Sequence, residues 1–149
     1  MPVEYPNLQR LHSDDFAGGL DNWFHEGVGQ LDPAPGGGMR LHCLGSRQGR
    51  EGCHAFFHPT LPDQVAIEYD LNVRSQGGLV INFLAIRGLG GEDIIDDRQR
   101  LPPRTGAFGD YVRAGCRLQS YHLSVSRFDD AGRHTQTSNW RRNPGLILV

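Results

Sequence analysis

Turn residues interrupt this chain every few positions, and none of its apolar stretches keeps a helical period. The 20 glycines and 9 prolines of the 149 residues lie between short apolar runs instead of gathering in one polar tract. Short alternating segments bounded by turn residues are typical of β-strands. We therefore expect one all-β domain spanning residues 1–149, with about seven to nine strands arranged as a sandwich or jelly roll.

Two of the predicted strands carry much of the apolar surface. Residues 65–74 alternate between apolar and polar side chains, which predicts a half-buried strand. Residues 79–86 are almost wholly apolar, which predicts a central strand covered on both faces. Further strands are expected at 26–31, 39–44, 53–58, 118–127, 134–140 and 144–149. The long loop at 88–103 is expected to be functional or partly helical.

Charge and targeting patterns exclude several classes of partner. The formal net charge is −2, and no basic run is longer than Arg141-Arg142, so we expect neither a nucleic-acid nor a membrane partner. The first residues lack the basic and apolar regions of a signal peptide, which predicts a cytoplasmic protein. Free thiols are favoured for the three cysteines, with a Cys43–Cys53 disulfide left open.

The polar residues of 120–127 and 139–145 indicate the functional site. In a strand over 118–127, His122 and Ser124 share one face, while Tyr121 and Arg127 lie on the other. Amides, guanidinium groups and an aromatic ring suit a ligand that carries both hydroxyls and C–H surfaces. We therefore predict a groove for an oligosaccharide or polysaccharide, with these binding residues: Ser124, Arg127, Asn139, Trp140, Arg141 and Asn143.

The sequence leaves catalysis open. His122 or Tyr121 as a base, with Arg or Asn neutralising a uronate carboxylate, would suit a lyase that works by β-elimination. His122 paired with Glu92 or Asp93 from the 88–103 loop would suit a hydrolase instead. A galectin-like binding module without activity is the third alternative, and a structural fragment with no activity of its own is the fourth.

Other chemical sites find little support in the residue pattern. Glu68-Tyr69-Asp70-Leu71-Asn72 matches the start of the E-x-D-x-E strand of retaining glucanases, but Asn72 replaces the third carboxylate. No EF-hand or zinc spacing occurs, and no glycine-rich run has a nucleotide-binding pattern. We expect no metal and no cofactor.

Several segments, in order, resemble a bacterial family known as domain of unknown function 1961. The matching residues are Asp15-Phe16, Trp23, Glu26-Gly27, Gly90 to Ile94, Arg104-Thr105-Gly106, Tyr111, Ser120 to Ser124 and Arg142 to Gly145. The resemblance implies a concanavalin A-like, galectin-like jelly roll of two antiparallel sheets and a role in plant-polysaccharide utilisation.

The same resemblance bears on the end of the chain. Family members are longer and continue past the Asn-Pro-Gly turn with closing strands. The resemblance thus implies a C-terminally truncated domain whose apolar last strand is open to self-association.

Overall fold

The computed structural model of the chain describes residues 8–45, 51–74, 77, 79–129 and 131–149. Within them, helix is limited to short segments: α1 (Gly109–Val112) and two 3-10 turns, Arg98–Arg100 and Ala114–Cys116. The strands are β1 (Trp23–Gly27), β2 (Gly29–Pro33), β3 (Met39–Cys43), β4 (Cys53–Phe57), β5 (Leu79–Gly88), β6 (Leu118–Arg127), β7 (Asn139–Asn143) and β8 (Ile147–Leu148).

All pairings between these strands are antiparallel. β1 pairs with β4, β2 pairs with β3, and the largest sheet has the order β5-β6-β7-β8. The two small sheets adjoin at Val28, whose N–H donates to Gly52 O and whose carbonyl accepts from Leu44 N. The all-β prediction is confirmed, and the arrangement is consistent with a jelly-roll sandwich.

Tyr111 joins the β1–β4 sheet to the four-stranded sheet. Its fully buried ring lies 5.8 Å from Phe56 of β4 and 5.6 Å from Phe83 of β5, measured between ring centroids. Most of the remaining core comes from the segment between β5 and β6 and from the start of β6: Ile94, Leu101, Val112, Cys116 and Leu118. The β1–β4 sheet and the four-stranded sheet therefore pack through side chains of the segment between β5 and β6 as well as through their strand faces.

The buried face of β6 is polar. Register places Phe83 and Arg141 on either side of His122, and it places Ser124 opposite Asn139. Ser120, His122 and Ser124 are buried, whereas Tyr121 on the other face is exposed. A strand normally turns its apolar side inward, so this burial pattern needs an explanation beyond core formation.

Residues 65–74 do not form the strand predicted from their alternation. Val65, Ile67, Tyr69 and Leu71 are exposed, and the Tyr69 hydroxyl donates to Asn82 Oδ1 of β5. Alternation decides which side chains share a face, but a strand also requires a neighbouring backbone to accept its hydrogen bonds. No described strand supplies one.

β5 is longer than predicted and lies at a sheet edge. It covers residues 79–88 and pairs with β6 alone among the described strands. Register shifts occur between Leu79 and Val80 and between Leu84 and Arg87. Ala85, with φ of +50°, lies within the second shift, as expected for a bulge.

Candidate functional site

A small cavity lies against the buried face of β6 and β7. Its volume is about 90 Å³. The polar residues around it are His122, Ser124, Arg127, Asn139 and Arg141, and the apolar ones are Leu79, Ile81, Phe108 and Leu146. The structure therefore brings together five of the residues predicted from the sequence.

His122 is held at the centre of this face by a buried amide. Asn143 Nδ2 lies 2.9 Å from His122 Nδ1 and donates to Ser120 Oγ at 2.8 Å. The rings of Phe83 and Phe108 meet the imidazole edge-on, each with centroids 5.9 Å apart. Asn143 Oδ1 is buried and has no hydrogen-bond partner among the described residues.

These surroundings favour the neutral form of His122. Burial lowers its pKa, because the charged ring loses hydration. The positive charge of Arg141 adds to this lowering. We therefore expect an uncharged imidazole at neutral pH.

Arg127 and Asn139 form the rim of the cavity. The Arg127 guanidinium donates to Thr137 Oγ1 at 3.0 Å. When the Asn139 amide oxygen is turned towards Arg127, it accepts a second hydrogen bond from that guanidinium at 2.7 Å. The Ser124 hydroxyl donates to the Asn139 carbonyl at 3.5 Å.

Tyr121 and Trp140 lie on the opposite face of the same strands. Their ring centroids are 6.4 Å apart, and the residues are 40% and 41% exposed. Tyr121 contributes instead to a second cavity of about 160 Å³, together with Arg87 and Arg142. The structure does not bring Tyr121 and His122 together as a catalytic pair, since successive strand residues point to opposite faces.

Glu92 is also separated from His122. Its carboxylate accepts from Gly90 N at 2.8 Å and lies 3.7 Å from the Arg117 guanidinium. Gly88, whose N–H donates to the Glu92 carbonyl, pairs with Leu118 of β6. Leu118 and His122 are four residues apart along this strand, which corresponds to a distance of roughly 13 Å. Hydrogen bonds from the backbone N–H groups of Glu92 and Gly90 hold the pKa of this carboxyl below its usual value.

Asp93 organises its own turn. Its Oδ1 accepts hydrogen bonds from Ile95 N at 2.7 Å and Asp96 N at 2.9 Å. The 88–103 loop is therefore stabilised by local hydrogen bonds. It does not place a carboxylate beside His122, as the hydrolase alternative requires.

Sequence reasoning missed one buried ionic cluster. Arg104 donates to both oxygens of Glu26, at 2.8 and 3.0 Å, and the Tyr111 hydroxyl donates to Glu26 Oε2 at 2.6 Å. Burial and the adjacent Glu26 raise the pKa of Tyr111. All three residues belong to the resemblance motifs, but they lie too far apart in sequence for spacing to link them.

The described residues contain no group of three or more His, Cys, Asp or Glu side chains placed to hold a metal ion. Cys43, Cys53 and Cys116 are free thiols, and burial raises the pKa of Cys53 to about 11. In the part of the chain that the structure describes, no helix has the length and apolar character needed to cross a membrane.

Comparison with known proteins identifies the family. The chain is 31% identical over 148 residues to the uncharacterized protein YesU of Bacillus subtilis (strain 168). The matched region covers 97% of this chain and 60% of that relative. The chain thus spans about 60% of the length of the curated relative it matches. No solved structure has significant similarity to this chain. The model of the family described as Domain of unknown function (DUF1961) matches residues 9–149, so the chain belongs to this family, as its motifs predicted.

Proposed function

We propose that this protein binds an oligosaccharide or polysaccharide of plant type on the buried face of β6 and β7. The observation that carries the proposal is the buried polar row Ser120, His122 and Ser124. Burying polar groups costs free energy unless they are hydrogen-bonded. Two members of the row, His122 and Ser124, line the cavity. His122 Nε2 makes no hydrogen bond to a described residue, and a polar ligand in the cavity would supply one.

The cavity offers both kinds of contact that a sugar needs. Ser124, Asn139 and Arg141 supply hydrogen-bonding groups for hydroxyls. Phe108 and Leu146 supply apolar surface for the C–H face of a sugar ring. The family resemblance, with its implied role in polysaccharide utilisation, supports the same class of ligand.

Binding without catalysis is the better supported alternative. Among the described residues, those around the His122 cavity include no carboxylate, and Tyr121 lies on the other face of β6. A hydrolase would need a carboxylate within reach of the scissile bond, and the lyase alternative would be left with His122 as its base. Lyase and hydrolase activities remain alternatives that a product assay can detect.

The test is a glycan array of pectic, alginate and glucan oligosaccharides, followed by calorimetry on any ligand found. We expect His122→Ala to raise Kd at least about tenfold, which corresponds to about 1.4 kcal/mol. Tyr121→Ala, on the opposite face, is the matched control and should leave Kd unchanged.

Reducing-end and unsaturated-uronate assays on the same ligands distinguish binding from turnover. Product formation that is lost in His122→Ala would support an enzyme. Absence of binding and of product across all three polysaccharide classes would contradict the proposed function.

A further inference from the structure

The charge around the His122 cavity is unbalanced. Arg127 and Arg141 both line it, and none of its other lining residues in the described part of the chain is acidic. Arg141 is half-buried, and no hydrogen bond or ion pair joins its guanidinium to a described residue. The buried Arg104, by contrast, has two hydrogen bonds to the Glu26 carboxylate. Cations removed from water are normally paired, so Arg141 lacks the partner that Arg104 has.

The Asn143 amide determines which nitrogen of His122 carries the proton. Asn143 Nδ2 can only donate a hydrogen bond, so His122 Nδ1, 2.9 Å away, must accept that hydrogen bond. In a neutral imidazole the proton then lies on Nε2. His122 therefore presents an N–H donor, and Nε2 makes no hydrogen bond to a described residue.

We propose that the cavity binds a carboxylate of an acidic saccharide, that is, the C6 carboxylate of a uronic acid residue. This inference rests on the proposed function and specifies its substrate class. The carboxylate accepts hydrogen bonds from His122 Nε2–H and from the Arg141 guanidinium, whose fork matches a planar carboxylate.

The size of the cavity agrees with this assignment. Its volume is about 90 Å³, which is several times the roughly 10–15 Å³ that one water molecule needs by the same measure. That space accommodates a carboxylate group. The ring then lies at the mouth of the cavity, where Leu79 is exposed.

The experiment measures binding of matched ligand pairs by calorimetry. Oligomers of galacturonate, glucuronate and mannuronate are each compared with their methyl esters, which keep the sugar and remove the charge. We expect at least one acid to bind at least tenfold more tightly than its ester. Equal affinity for acid and ester would overturn the inference and leave the proposed function intact, whereas failure of every sugar, neutral glucans included, would contradict both.

Two neighbouring arginines provide the variant and its control. Arg141→Gln should abolish the preference for the acid, while Arg141→Lys should keep part of it. Arg142→Gln changes the adjacent residue, whose side chain lines the second cavity on the opposite face, and should keep the full preference. Loss of the preference in Arg142→Gln alone would place the carboxylate in the other cavity and overturn the proposal. Acetate binding as tight as that of the best oligomer would overturn the assignment to a saccharide.

The protonation of His122 can be measured without any ligand. In nitrogen-15 NMR spectra of the labelled protein at neutral pH, Nδ1 should have the chemical shift of an unprotonated nitrogen and Nε2 that of an N–H. Asn143→Asp should move the proton to Nδ1, because a carboxylate can only accept. A wild-type protein with the proton on Nδ1 would overturn the proposed donor role of His122.

Discussion

At the scale of single residues, the Glu26 carboxylate has the densest set of buried contacts. It accepts three hydrogen bonds, two from Arg104 and one from Tyr111, residues 78 and 85 positions away in the chain. The Arg104 side chain is only 4% exposed. Arg104 also donates to Ile94 O at 2.6 Å, so one guanidinium connects β1 to the 88–103 loop.

Removing one partner of this ion pair should be costly. Arg104→Gln leaves a buried carboxylate without its counter-charge, and such changes destabilise proteins by about 3–5 kcal/mol. Urea denaturation monitored by circular dichroism measures the free energy of unfolding. Arg100→Gln is the matched control, because its ion pair with Asp97 is largely exposed and should contribute less than about 1 kcal/mol. A loss for Arg104→Gln no larger than that of the control would contradict this description of the cluster.

At the scale of elements, the end of β1 and the turn before α1 touch through their backbones. A Cβ atom added at Gly106 would lie 2.3 Å from Gly27 Cα, and the φ of Gly106 is +91°. The Gly106 carbonyl accepts from Gly52 N at 2.8 Å and from His54 Nε2 at 3.0 Å. This contact holds β1, β4 and the α1 segment in one arrangement, and only glycine leaves room for it.

Gly106→Ala should therefore unfold at lower temperature and lower urea concentration than wild type. The positive φ alone costs about 1–3 kcal/mol for a residue with a side chain, and the contact with Gly27 adds to that cost. Gly115→Ala is the control, since a Cβ there meets nothing within 4 Å, and we expect a change within about 0.5 kcal/mol. Equal stability of the two variants would show that the contact between Gly106 and Gly27 is looser than the structure indicates.

At the scale of the whole molecule, two histidines on different sheets are shielded from solvent, His54 partly and His122 almost fully. His54 lies on β4 and His122 on β6, and burial lowers the pKa of both. A histidine with a lowered native pKa protonates more readily in the unfolded chain, so the unfolded state gains protons first as the pH falls. The folded protein should lose stability once the pH drops below the unfolded value near 6.5.

Urea titrations at pH 7.5 and pH 5.5 should give a lower midpoint at the lower pH. His54→Asn and His122→Asn should each reduce that difference. Asp14 and Glu92 have lowered pKa values, so their contribution is present above about pH 4.5 and is lost only at lower pH. A wild-type midpoint that is the same at both pH values would refute the assignment of a neutral form to His54 and His122.

The polar row on β6 shows how far the sequence led towards the site. Alternation correctly grouped His122 with Ser124, and the cross-strand register added Asn139 and Arg141 to their face. Glu92 and Asp93 were proposed because acidic residues cluster in their loop and because this segment resembles the family, but the local hydrogen bonds of the loop direct both carboxylates elsewhere. Self-association through the last strand and a cytoplasmic location stay predictions.

The sequence by itself determined the all-β class and the position of β6, because turn residues and two-residue periodicity are local properties of the chain. Tertiary structure alone decided that the polar face of β6 is the buried one, that residues 65–74 find no strand partner, and that Glu26 meets Arg104. Alternation shows which side chains share a face, whereas burial, pairing and ion contacts depend on segments far away in sequence. For that reason the cationic, donor-rich surroundings of His122 became visible only in the folded chain.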